Sequence, residues 1–225
     1  MKQAPELWLV RHGETEWSRD GRHTGRSDIP LSARGRARAR QLAPLLADRP
    51  FDQVWCSPLA RARETAALAG FGARAEYLDD LCEWDYGEYE GRTTDEIRLT
   101  QPGFSTWTAP ITAGESLTRV AERAGRVLEQ AVATGGCSLL FAHAHLLRIL
   151  AAGWLGLDPA AGRLLALDAA SLSVLGHEHE TRVIRLWNWT AQWPSPPLAA
   201  RMPQKPDREL PRLLRPAFRC APAPL

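Results

Sequence analysis

Leu9-Val10-Arg11-His12-Gly13-Glu14-Thr15-Glu16-Trp17 is the stretch whose reading decides the fold. The apolar run that leads into it, Leu7 to Val10, is too short for a helix and reads as a buried strand. It stops abruptly at a cation, an imidazole and a glycine, the residue with the widest choice of backbone angles. In open α/β sheets ligands bind beyond the carboxyl ends of strands, where Arg11 and His12 would then sit. That placement makes His12 a candidate nucleophile and Arg11 a candidate holder of the anionic group it attacks. A lone Arg-His-Gly does not decide the matter, because a histidine can simply end a strand and an arginine can simply be solvated.

A chain of 225 residues is long enough for one large domain, or for one domain with an appendage. The net charge of +2 is unevenly spread: from Thr190 onward six basic residues face two acidic ones, leaving the preceding body mildly acidic. Nine of the 17 prolines also fall in that last stretch, and it lacks a core-forming pattern. We therefore divide the chain into a domain over 1–190 and a flexible, Pro-rich basic tail over 191–225. The four cysteines show no Cys-x-x-Cys spacing, which argues against a disulfide framework or zinc site. The N-terminus carries no secretory pattern and no apolar run is long enough to span a bilayer, so the expected location is cytoplasmic. Six dispersed charges among prolines and core-like tryptophans (Trp8, Trp55, Trp154, Trp187) argue against a nucleic-acid partner.

Strand, turn and helix recur along the body. Ser32 is a plausible N-cap for a helix whose apolar face holds Ala39, Leu42, Ala43 and Leu46. Val54-Trp55-Cys56 reads as a strand, followed by Ser57-Pro58 as cap and first-turn proline of a helix carrying Arg61. Ala75 to Leu78 is a weaker strand, and it leads into the acidic, aromatic segment Leu81 to Gly91. A short helix over Thr94 to Leu99 and a long one opened by Ser116 precede the strand Ser138 to Ala142, which ends in His143-Ala144-His145 and a helix. Ser171 to Gly176 and Arg182 to Trp189 alternate as a hairpin around a polar turn, His177 to Thr181. The expected fold is α/β, a three-layer α/β/α sandwich with a mainly parallel mixed sheet.

Parallel strands open their following turns on one edge, so Arg11, His12, Arg61 and His143 can converge. Two guanidinium groups and two imidazoles facing one point suit a phosphoryl group, whose oxygens match the guanidinium fork. One imidazole can attack while the other, protonated, stabilises charge, and the carboxylates around Glu83 can supply the proton that a leaving alcohol needs. Such a site needs neither metal nor cofactor, since its cations are covalently present.

The order and content of these pieces resemble the histidine phosphatase, or phosphoglycerate mutase-like, superfamily. The resemblance rests on Leu9 to Thr15, Leu31-Ser32-Ala33-Arg34-Gly35, Cys56 to Ala66, Glu83 with Tyr86-Gly87, and Phe141-Ala142-His143. It implies a phosphohistidine on His12, a phosphate pocket of Arg11, Arg61 and His143, and Glu83 as proton donor and then base. Asp85 is a reserve candidate, while Glu88 and Glu90 read as loop charges.

Gly21 to Gly25, Glu83 to Gly91 and His145 to Arg148 most resemble the branch with fungal sedoheptulose-1,7-bisphosphatase and bacterial acid phosphatases. The short gap between Gly91 and Gly114 favours a phosphatase over a cofactor-dependent mutase, which needs an enclosing lid. Candidate substrate contacts are Ser18, Thr24, Gly25, Trp84, Tyr86, Ala144 and His145.

Two positions depart from the family pattern. Ser18 stands where asparagine is usual, and Ala144 where glycine is usual; a left-handed angle at Ala144 would cost about 1 kcal/mol or more. The expected activity is metal-independent hydrolysis of a small phosphorylated metabolite, a sugar phosphate. The alternatives are a phosphoglycerate mutase, a phosphoprotein phosphatase and a weakly catalytic phosphate-ligand binder.

Overall fold

The structure, a computed structural model, describes residues 4–190. The tail expected over 191–225 lies outside these residues. In chain order the elements are β1 (Glu6–Arg11), α1 (Glu16–Arg19), α2 (Ala33–Arg40), α3 (Ala43–Leu46), β2 (Gln53–Cys56) and α4 (Ala60–Leu68). Then come β3 (Glu76–Tyr77), α5 (Thr94–Arg98), α6 (Leu117–Thr134), β4 (Cys137–Ala142), α7 (Ala144–Trp154), β5 (Leu172–Glu178) and β6 (Thr181–Trp189).

The six strands form one sheet in the order β3-β2-β4-β1-β5-β6. Pairs β1–β4, β4–β2 and β2–β3 are parallel, and β5 runs antiparallel to both β1 and β6. Strand alternation sends Leu7 and Leu9 to one face, where they pack with Val120, Val127, Leu147 and Leu150 of α6 and α7. Trp8 and Val10 go to the other face, against Leu42 and Leu46 and against Ala62 and Ala66 of α4. The expected three-layer arrangement is therefore the observed one.

The helices following β1 and β4 lie on opposite faces, so the chain switches direction between these two adjacent strands. A crevice opens at such a switch point, and here it lies beside His12 and His143, the first residues beyond β1 and β4.

Two glycines of the matched motifs are fixed by close approach. A Cβ on Gly13 would lie 2.7 Å from Gly35 O, and one on Gly35 would lie 2.1 Å from Glu14 O. The turn after β1 thus rests directly on the first turn of α2, with no room for a side chain at either position. Ser32 caps α2 as expected, accepting from Gly35 N, and its hydroxyl donates to Glu14 Oε1 at 2.9 Å. Arg36 of α2 then pairs with Glu64 of α4 at 2.6 Å, joining the two helices.

Several local expectations are corrected. The helix after Ser32 breaks at Gln41–Leu42 into α2 and α3, with Pro44 in the first turn of α3. The hairpin turn shrinks to His179-Glu180 because β5 continues through His177 and Glu178. Ser57 does not cap α4: that helix starts at Ala60 behind Leu59, so Pro58 lies ahead of its first turn. The Ser57 hydroxyl is used in the site instead.

Candidate active site

β1 delivers His12 to the crevice, with its backbone N–H donating to Ala142 O and its carbonyl accepting from Ala170 N, both at 3.0 Å. The Nδ1 atom lies 2.7 Å from Gly13 O. A carbonyl can only accept, so Nδ1 carries the proton and Nε2 keeps a free lone pair. Burial and the neighbouring Arg61 and Arg11 hold the His12 pKa well below its ordinary value, so the ring is neutral.

His143 lies beside it, with ring centroids 5.1 Å apart, and is fully buried. Arg61 Nε donates to His143 Nδ1 at 3.2 Å, which places the ring proton on Nε2, facing Ser57 Oγ at 2.8 Å. Burial and then Arg61 push the His143 pKa well down. The second imidazole, expected from the sequence to be protonated, is thus neutral, because a buried cation already occupies its other nitrogen. Arg61, also fully buried, donates through Nη1 to Ser27 O and through Nη2 to Thr24 O and Gly25 O. It fastens the 24–27 loop to the centre of the site.

Arg11 donates through Nη1 to Leu167 O. Glu83 is buried at the start of α7, where Oε1 accepts from Trp84 N and Leu146 N and Oε2 from His145 N, at 2.9–3.0 Å. These bonds fix the carboxyl at the edge of a cavity of about 360 Å³ that Arg11, His12 and Ala144 also line. Its size fits a small-molecule ligand. Arg61 and His143 form the layer beneath it.

The candidate substrate contacts separate into groups. Ser18, Thr24, Tyr86, Ala144 and His145 line the cavity. The Ser18 hydroxyl is already engaged in a capping box with Thr15, donating to its carbonyl and accepting from its N–H. Ala144 is the first residue of α7 and has no positive φ, so the strain considered from the sequence does not arise. Trp84 and Gly25 are corrected. Trp84 is fully buried in the core, its indole N–H donating to Glu115 O, and Gly25 is wedged against Trp84 O, so neither borders the cavity. Trp107 does line it, packed against His145 with centroids 5.0 Å apart and under the Arg148 guanidinium at 4.7 Å.

Glu90, read from the sequence as a loop charge, accepts from Arg26 N and Ser27 N and so braces the same loop that Arg61 holds. Asp85 instead accepts from Gly87 N and does not border the cavity. Sequence reading missed Ser57 as a partner of His143. It also missed Arg22, Thr94, Arg98, Ser105 and Thr106 as cavity lining. The first is hidden because a Ser-Pro pair looks like a cap; Thr94 and Arg98 lie on a helix whose packing the sequence does not give, and Arg22, Ser105 and Thr106 lie in loops.

The sequence pattern described as the histidine phosphatase superfamily (branch 1) matches residues 7–190. The chain belongs to this superfamily. Among curated relatives of this histidine phosphatase, the acid phosphatase of Mycobacterium tuberculosis is 38% identical over 188 residues, 82% of this chain and 92% of that protein. A protein of Serratia proteamaculans described as a probable phosphoglycerate mutase is 31% identical over 192 residues, 81% of this chain and 89% of its own. A solved M. tuberculosis structure superposes with a TM-score of 0.78 at 37% identity, covering 83% of this chain and 98% of that one. Among the described residues no helix is long and apolar enough to cross a membrane.

The buried imidazoles of this histidine phosphatase make its stability depend on pH. His12, His143 and His145 all have folded-state pKa values well below the ordinary histidine value, burial being the first cause in each. Above about pH 6.5 neither folded nor unfolded state protonates them, and they carry no penalty. Below it the unfolded chain takes up protons that the folded one refuses, so stability falls with pH toward the folded-state values. Each group contributes a slope of about 1.4 kcal/mol per pH unit, and the three together about 4. Urea midpoints measured from pH 7.5 to 5 should fall steeply below 6.5; a flat profile would contradict neutral buried rings.

Proposed function

We propose that this chain is a metal-independent phosphatase that hydrolyses a small phosphomonoester, of the sugar phosphate class, through a phosphohistidine on His12. The observation that carries the reading is the His12 ring itself: its Nδ1–H is committed to Gly13 O, leaving an unprotonated Nε2 beside two arginines. A dianionic phosphate would be drawn to Arg11 and, across the layer beneath, to Arg61 and His143. Its charge would also raise the His143 pKa, favouring the imidazolium expected from the sequence.

In the first step His12 Nε2 attacks phosphorus, the ester P–O bond breaks, and the departing oxygen takes the Glu83 proton. In the second, water attacks phosphorus, its proton passes to the Glu83 carboxylate, the N–P bond breaks, and phosphate leaves. Three backbone N–H groups fix the position of the Glu83 carboxyl at the cavity edge.

A mutase is the second reading, favoured by the relative described as a probable phosphoglycerate mutase. It requires retention of the product between the two steps. The short segment between Gly91 and Gly114 opposes it, because it gives little chain with which to enclose the cavity. With chelator present, 3-phosphoglycerate and its bisphosphate primer should yield inorganic phosphate faster than 2-phosphoglycerate. Rapid primer-dependent isomerisation would replace the phosphatase reading with the mutase one.

A further inference from the structure

The cavity has cationic lining beyond the reacting cluster. Arg22 and Arg98 line it together with Thr94, Ser105 and Thr106, and none of these belongs to the reacting cluster. Each guanidinium is anchored by one main-chain carbonyl: Arg22 Nη1 donates to Gly91 O at 2.7 Å, and Arg98 Nε to Phe104 O at 3.0 Å. Those bonds leave most of the five N–H donors on each side chain uncommitted. Arg22 has no ion pair among the described residues, and Arg98 has only a 3.8 Å contact with Asp95, whose side chain is 95% exposed. So exposed a pair, beyond hydrogen-bond distance, neutralises little.

The loop that carries Arg22 is pinned to the segment leading into α5. Arg22 bridges to Thr93, His23 N donates to Arg92 O, and Gly91 N donates to His23 O. The Thr93–Glu96 capping box fixes the start of α5, on which Arg98 sits. Both arginines are thus held in place by backbone bonds.

Charge decides what these arginines are for. The reacting phosphate brings two negative charges, and Arg11 and Arg61 match them. Arg22 and Arg98 then add two further positive charges to the same cavity. Among the described residues the only carboxylate lining it, Glu83, is committed to backbone N–H groups. Arg98 is half-exposed, so it would hold an anion by direct hydrogen bonds from its guanidinium rather than by a buried field. Resting on the phosphatase reading above, we infer that the substrate carries a second anionic group, a phosphate or a carboxylate, that is bound by Arg22 and Arg98. The hydroxyls of Thr94, Ser105 and Thr106 beside them suit an oxygen-rich skeleton between the two anions.

The test is a ratio of kcat/KM within one preparation of the full chain, which does not depend on the fraction of active protein. One matched pair is 3-phosphoglycerate against glycerol 3-phosphate, which differ by a carboxylate. The other is fructose 1,6-bisphosphate against its two monophosphates, which differ by a phosphate. The doubly anionic member of at least one pair should be favoured about tenfold or more, equivalent to about 1.4 kcal/mol. The pair that shows the preference identifies the group.

In the Arg22→Gln/Arg98→Gln double variant the ratio should fall to within about twofold of one, while Arg98→Lys, which keeps the charge, should retain part of it. Ratios near one in the wild type, or a preference that survives the double variant, would overturn the inference. Loss of the phosphatase reading looks different: p-nitrophenyl phosphate hydrolysis would then persist in His12→Ala.

Discussion

His12→Ala should lower turnover of p-nitrophenyl phosphate by about four orders of magnitude or more, the scale on which loss of a covalent nucleophile acts. The same variant should yield no acid-labile, alkali-stable phosphoenzyme when quenched during turnover of a 32P-labelled substrate. The expectation follows from the geometry rather than from the presence of a histidine. The Nδ1–H bond to Gly13 O fixes both tautomer and ring orientation, and burial with two cations keeps the ring unprotonated at neutral pH. No other imidazole offers that combination. His143 has its Nδ1 occupied by Arg61 and its Nε2 by Ser57, and His145 Nδ1 is tied to Tyr86. Substantial turnover by His12→Ala, with labelled protein still recovered, would remove the proposed mechanism. The alanine leaves a small void above His143 and removes no bond on which the core relies, so the variant should fold.

Glu83→Gln should separate substrates by their leaving groups. A p-nitrophenolate needs no proton to depart, whereas a sugar alkoxide does, so the phosphorylation step should slow about 10²- to 10⁴-fold for alkyl phosphates and little for the activated ester. The distinction must be read in the first turnover, because the second step needs Glu83 as base whichever group has left. A burst of p-nitrophenol followed by slow turnover is the expected signature. Equal losses in the first turnover for both substrate types would point to another acid. The substitution also has a structural effect. Three backbone N–H groups share the two carboxylate oxygens, and the amide offers one oxygen and an NH₂ that repels a donor. A stability loss of about 1–3 kcal/mol should accompany it. Measuring rates well below the melting temperature keeps the two effects apart.

The fold was almost fully legible before the structure, because short apolar runs ending in polar turns have few other ways to bury themselves. Val10 and Leu140 could only be strand interiors, and the amphipathic stretch after Ser116 could only be a surface helix. Errors fell where two local signals compete. Ser57-Pro58 has the chemistry of a cap, yet the main chain stays extended until Leu59 and the hydroxyl turns to His143. Trp84 sits in a polar segment that reads as a loop at a cavity mouth, but its indole reaches inward to the Glu115 carbonyl. Burial of a single large side chain is set by what packs over it, and a local pattern carries no record of that.

By itself the sequence determined that three strand ends would bring Arg11, His12, Arg61 and His143 together, because parallel strands place their following turns on one edge. That Gly13 and Gly35 admit no side chain was visible only in the structure, where the turn after β1 rests on α2. The tertiary structure decided what each group can do on arrival. Which nitrogen of His12 is free and why His143 is neutral depend on partners one to 82 positions away. That a second pair of arginines, 76 positions apart, faces the same cavity also emerged only from packing. Protonation, tautomer and cavity charge are sums over neighbours in space, and aperiodic loops such as 91–114 leave those neighbours unwritten in the chain.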